Sequence, residues 1–129
     1  MDVLLDTHAF LWWLDGDPTL PARTRRLIGD QRTRVLVSAV TGWEITTKHR
    51  VGKMPDAAAV AADVAGAIAS QGFLTLPITL PHAQLAGALP GPHRDPWDRM
   101  LAAQSLIEDL PIVSSDKALE SFGAARLWI

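Results

Sequence analysis

The stretch Met1-Asp2-Val3-Leu4-Leu5-Asp6-Thr7-His8-Ala9-Phe10 sets an unbroken apolar triplet against an aspartate and then a residue able to begin a helix. A strand with no polar face must be buried on both sides, the habit of a parallel sheet between helices rather than of a half-exposed antiparallel one. Thr7 is expected to cap a helix that runs through Leu14 and is closed by Asp15-Gly16-Asp17-Pro18. A strand followed at once by a helix is half of a βα unit.

The same unit recurs along the chain. Pro21 suits the first turn of a second helix, with Gly29 near its end. Val35-Leu36-Val37 repeats the apolar triplet, and Ser38 is placed to cap a helix from Ala39 to about Arg50. Asp56 is expected to cap an alanine-rich helix to about Gln71, in which Val60, Val64 and Ile68 keep amphipathic spacing. Phe73 to Leu76 reads as a strand and Pro81 to Leu89 as a short helix. Pro90-Gly91-Pro92 is a loop, and Asp95-Pro96 opens a helix to about Leu110. Pro111-Ile112-Val113 and Arg126-Leu127-Trp128 supply the last strands. This alternation predicts a three-layer α/β/α sandwich around a mostly parallel sheet. At 129 residues the chain is read as one domain, 1–129, large enough to bury a core.

Composition removes several classes of function. There is no cysteine, which rules out disulfides and thiolate zinc sites and suits a reducing, cytoplasmic setting. The apolar run at Val3–Leu5 has no basic segment before it and does not read as a signal peptide. No stretch approaches the roughly 18–20 apolar residues that span a bilayer, so no membrane partner is expected. The net charge of −2 gives no bulk attraction to nucleic acid. Any basic footprint must be local, with Arg23, Arg25, Arg26, Arg32 and Arg34, or His93-Arg94, as the candidates; an ordinary solvated helix face is the readier account of the first group. Glycine-rich phosphate loops and the serine nucleophile elbow are absent. The four histidines lack zinc-ligand spacing.

The acids carry the chemistry. In a parallel α/β sheet, sites form beyond the carboxyl ends of the strands, where Asp6 and Asp116 fall. Either alone is explained as a helix cap. Glu44 shares a stripe with Val40, Thr47 and Val51, spaced i, i+4, i+7, i+11, which would turn an acid toward the sheet; the plain alternative is an i, i+4 pair with Lys48. In Asp95-Pro96-Trp97-Asp98-Arg99, Asp95 takes the N-cap and Asp98 the first turn, on a face with Leu101, Ala102 and Ser105. Four carboxylates drawn together repel by about 3 kcal/mol per pair at roughly 5 Å and an effective dielectric near 20. A divalent cation relieves that repulsion, and oxygen-only ligation suits Mg²⁺ or Mn²⁺. Such an ion activates water and stabilises charge on a phosphate under in-line displacement.

Leu4-Leu5-Asp6-Thr7-His8, Trp43-Glu44-Ile45, Asp95-Pro96-Trp97-Asp98-Arg99-Met100-Leu101-Ala102-Ala103-Gln104 and Val113-Ser114-Ser115-Asp116, in that order, resemble the PIN-domain ribonucleases. More narrowly they resemble the VapC toxins of bacterial toxin–antitoxin pairs, over Met1 to Trp128. The resemblance implies Mg²⁺- or Mn²⁺-dependent cleavage of RNA, a homodimer, and an antitoxin partner that also binds DNA. It places Asp6, Glu44, Asp98 and Asp116 at the catalytic, metal-binding positions, with Thr7 and Ser114 as hydroxyls that orient ligands or water.

Two other readings compete. An aspartyl-phosphate phosphotransferase or phosphatase would use Asp6, but His8 stands where such enzymes carry a second aspartate. A non-catalytic binding module would have little use for all four acids. Finally, His8-Ala9-Phe10-Leu11-Trp12-Trp13-Leu14 carries apolar residues on more than one helix face, so Trp12 or Trp13 is expected to lie uncovered and to line a groove for the antitoxin or a second subunit; the plain alternative is that the neighbouring helix, from Ala22 to Ile28, covers the rest.

Overall fold

The computed structural model describes every residue from Met1 to Ile129. Five strands form one sheet in the order β3-β2-β1-β4-β5: β1 is Asp2–Leu5, β2 Arg34–Ser38, β3 Leu74–Leu76, β4 Ile112–Val113 and β5 Arg126–Leu127. All four pairings are parallel. The expected three-layer arrangement with a parallel sheet is what forms.

The apolar triplets explain the layers. Leu4 lies beside Leu36 and Ile112, and Leu5 beside Val37 and Val113. Alternation along each strand sends the first group to one face and the second to the other. Leu4, Leu36 and Ile112 join a core with Ala86 of α6 (Leu80–Ala88) and Leu101, Ala102 and Ala103 of α7 (Pro96–Glu108). Val3, Leu5, Val35, Val37 and Val113 join a second core with Phe10 of α1 (Thr7–Asp15), Ile28 of α2 (Ala22–Gly29) and Ile68 of α5 (Val64–Ser70). Helix α3 (Ala39–Arg50) contributes Val40 to the first core and Ile45 to the second. Each buried aliphatic side chain contributes about 1.5–3 kcal/mol.

Local chemistry departs from the sequence expectation at three helix starts. Asp6, not Thr7, is the N-cap of α1: its Oδ1 accepts the Ala9 N–H at 2.7 Å. The aspartate is extended and one residue outside the helix, which suits a cap, and Thr7 is thereby free for another partner. Gly16, at φ 64, then closes α1 through its N–H to the Trp12 and Trp13 carbonyls, a conformation that costs glycine little. The alanine-rich segment is not one helix. Asp56 sits in a 3₁₀ turn, Pro55–Ala57, and the chain breaks at Asp63 between α4 (Ala58–Ala62) and α5. Asp63 has φ −156 and accepts the Gly66 N–H at 2.9 Å, so its carboxylate restarts the helix instead of continuing it. A Cβ at Gly66 would collide with that carboxylate. Helix α6 begins one residue earlier than expected, with Thr79 and His82 forming a reciprocal capping box.

Trp12 and Trp13 are both half-buried rather than uncovered, and Trp13 lines a cavity of about 650 Å³ with Gln71 and Phe73. Trp12 packs on Trp128 and His8. Trp13 packs on Phe73, bonds Gln71 through Nε1, and lies under the Arg25 guanidinium of α2. Arg25 of the second helix, Trp128 just beyond β5 and Phe73 just before β3 supply this partial cover. The exposed tryptophan is Trp43, 61% accessible, set edge-on to Trp97. No helix is long and apolar enough to cross a membrane.

Candidate active site

Because all strands are parallel, their carboxyl ends open on one edge of the sheet, and the elements that follow them deliver the acids there. Asp6 follows β1, and Asp116 lies beyond β4, after Ser114-Ser115. Glu44 stands in the second turn of α3, which starts directly from β2. Asp98 stands in the first turn of α7. The four line one cleft of about 140 Å³ with Thr7, His8, Lys48, Asp95, Leu101 and Ser115. The sequence thus located the acid wall of the cleft. It gave no reason to single out Ser115 or His8, whose places follow only from the packing of α1 and β4.

The acids differ in surroundings. Asp6 is buried, and loss of water pushes its carboxyl above the ordinary range; Ser114, the Ala9 N–H and His8 pull it back, and the Asp98 charge adds to the rise. Asp98 is raised as well, first by burial; His93 opposes this, and Asp95 and Asp116 reinforce it. These carboxylates therefore feel one another across the cleft. Asp116 is exposed, and its Oδ1 caps the 3₁₀ turn Lys117–Phe122 through the Ala118 N–H. Asp95 fills its expected role as N-cap of α7, accepting from the Trp97 and Asp98 N–H groups.

Glu44 is buried, 5% accessible, yet it also makes the alternative pair with Lys48, at 2.5 Å. Both sequence readings hold together because Lys48 is itself half-buried at the cleft. The Thr7 hydroxyl donates to the other oxygen, Oε1, at 2.7 Å. The buried face of α3 is Val40, Thr41, Glu44 and Ile45; Val51, expected on the stripe, is exposed.

Cation binding is tested by the donor set. Oxygen donors only, two of them held above their usual pKa by burial and by each other, suit a hard divalent ion. No three His, Asp or Glu side chains close around a single point. Each acid is engaged instead by a protein donor: Asp6 by Ala9, Glu44 by Thr7 and Lys48, Asp98 by His93 and Asp116 by Ala118.

Fold and cleft together define a parallel three-layer α/β domain with an acidic centre at its strand ends. The PIN domain family model matches residues 3–125, and the chain belongs to that family. Among solved structures it is similar over the full length of both chains to a chain of the VapBC2 complex from Rickettsia felis bound to a promoter DNA fragment, with a TM-score of 0.72 and 14% identity. At that identity the likeness is one of fold. No curated protein matches in sequence.

Proposed function

We propose that this chain is a metal-dependent endoribonuclease, the toxin of a toxin–antitoxin pair, acting in the cytoplasm as a homodimer. The observation that carries the reading is the convergence of Asp6, Glu44, Asp98 and Asp116 on one cleft, where burial and mutual repulsion hold two of them above their ordinary pKa. Asp6 and Asp116 also cap helices and Glu44 pairs with Lys48, but those roles do not require the four acids to meet, and a cation would relieve the repulsion between them. Membership of the PIN domain family supports a nuclease, and the VapBC2 likeness supports an antitoxin as partner.

These four acids would hold Mg²⁺ or Mn²⁺, which supplies positive charge to phosphodiester oxygens and makes water a nucleophile near neutral pH. The chain's own groups do the rest. Thr7 fixes Glu44 through Oε1, and Lys48 sets an ammonium at the cleft wall. Lys48 and His8 also line an adjoining cavity of about 360 Å³ that carries Lys53. With Lys48 already paired to Glu44, Lys53 is the cation there without an ion pair, beside Asp15 and Asp56 in the same lining, and it is the group that would meet an RNA phosphate.

The test is incubation of the purified chain with total RNA, with and without Mg²⁺ or Mn²⁺, beside Asp98→Asn. Cleavage is expected only for the parent with metal. Identical products in every lane would refute the nuclease reading.

A further inference from the structure

His93 reaches the acid cleft from Leu89-Pro90-Gly91-Pro92-His93, a segment outside any helix or strand. Its Nε2 lies 2.9 Å from Oδ2 of Asp98, and the two side chains are 27% and 22% accessible. The contact engages Oδ2 alone. Oδ1 makes no hydrogen bond to protein, and Asp98 lines the cleft.

The imidazole is held by Asp98 and Phe122, and its backbone by Arg99. Its ring stands edge-on to Phe122, with centroids 5.5 Å apart and planes at 69°, and Phe122 is buried. The Arg99 guanidinium lies 5.5 Å from the centroid of the same phenyl ring. Arg99 also donates to the carbonyls of Ala86 and His93, each at 2.8 Å, to Gly87 at 3.4 Å, and to Leu89. One side chain of α7, one residue after Asp98, therefore fastens the end of α6 and the loop that brings His93 back to Asp98. A planar fork of donors can hold several carbonyls at once; an ammonium on a flexible stem cannot keep that geometry.

We propose that His93 is a positioning residue for Asp98. With its proton on Nε2 it fixes Oδ2, so that Oδ1 faces the cleft in the orientation a cation needs, and Arg99 sets the loop that delivers the imidazole. The inference rests on the reading of the cleft as a cation site. A carboxylate with one oxygen tied down loses less freedom when the other binds an ion. Loss of such an outer hydrogen bond weakens metal binding by about 10–100-fold.

Mn²⁺ alone is the probe, titrated into the full chain with free ion followed by electron paramagnetic resonance. His93→Phe keeps a ring against Phe122 and removes the donor; His93→Gln restores a donor and removes the ring. The expected result is Mn²⁺ affinity about 10–100-fold weaker in His93→Phe and close to the parent in His93→Gln. Parent-like binding in His93→Phe overturns the proposal. Equal weakening in both variants also overturns it, because the ring packing and not the hydrogen bond would then matter. Nitrogen-15 spectra of the parent give a check that needs no variant to fold: a proton on Nε2 is expected, and a bare Nε2 overturns the proposal. If the parent fails to bind Mn²⁺, or Asp98→Asn binds it as tightly, the cation-site reading itself falls.

Discussion

Thr7 and Glu44, 37 residues apart in sequence, meet where α1 and α3 leave the sheet, with Oγ1 of the threonine 2.7 Å from Oε1 of the glutamate. The same hydroxyl lies 3.1 Å from that of Thr41. This is a charge-assisted hydrogen bond between buried groups, worth about 1.5–3 kcal/mol. Thr7→Val, which keeps the shape and removes the donor, should lower stability by about that amount in denaturant melts and reduce metal-dependent activity. Full stability in the variant would show that Lys48 alone suffices for Glu44.

Asp6→Asn separates the cap from the charge. Asparagine caps as well as aspartate, so the Ala9 hydrogen bond survives. The folded-state pKa of Asp6 is raised above 3.8, so between that value and its raised pKa the folded chain binds more protons than the unfolded one. Stability from this group is therefore greatest below pH 3.8 and falls as pH rises through the window. Without metal, Asp6→Asn should be at least as stable as the parent at neutral pH, and its stability should fall less as pH rises. A parent-like profile would mean that burial does not strain this carboxylate.

The acids of the Asp95–Asp98 motif should behave oppositely. Asp95→Ala removes the α7 cap and should cost about 1 kcal/mol while leaving substantial activity. Asp98→Asn should keep or raise metal-free stability, because it removes a carboxylate that Asp95 and Asp116 repel. Its cleavage rate should fall by about 100-fold or more, the scale of several kcal/mol of lost charge stabilisation. Exchanged outcomes would reverse the two roles.

A cation that binds only the folded chain raises stability, by about 2.7 kcal/mol at a hundredfold excess over Kd. Thermal melts in millimolar Mn²⁺ should show a higher midpoint for the parent and little change for Asp6→Asn. Equal shifts in both would place the binding elsewhere.

The tryptophans should divide by burial. Trp12→Ala and Trp13→Ala each remove half-buried aromatic packing and should destabilise, by less than the roughly 3–5 kcal/mol of a fully buried ring. Trp43→Ala removes an exposed ring with one edge contact to Trp97 and should cost about 0.5–1.5 kcal/mol. Chemical denaturation of the three variants distinguishes these outcomes.

The sequence by itself determined the layers and the acid edge. Val3-Leu4-Leu5 and Val35-Leu36-Val37 have no polar face to show to water, so they had to become interior parallel strands. Asp6 and Asp116 beyond strand ends, and Glu44 in the helix that leaves β2, then fall at one edge, and Asp98 joins them from the start of the helix that returns to β4. The alanine-rich segment escaped this reasoning because helix propensity favours continuation, while the Asp63 carboxylate gains more by capping Gly66. The cover that Trp128 gives Trp12 and Phe73 gives Trp13 was also invisible, since both come from far away in the chain, whereas cover by the neighbouring helix that carries Arg25 could be anticipated. The i, i+4 pair of Glu44 with Lys48 was legible in the sequence, but tertiary structure alone decided which distant donor each acid meets: Thr7 for Glu44 and His93 for Asp98. Periodicity fixes the face on which a side chain stands. Partners brought in by a loop or another helix depend on how those elements close in space, and no local pattern encodes that distance.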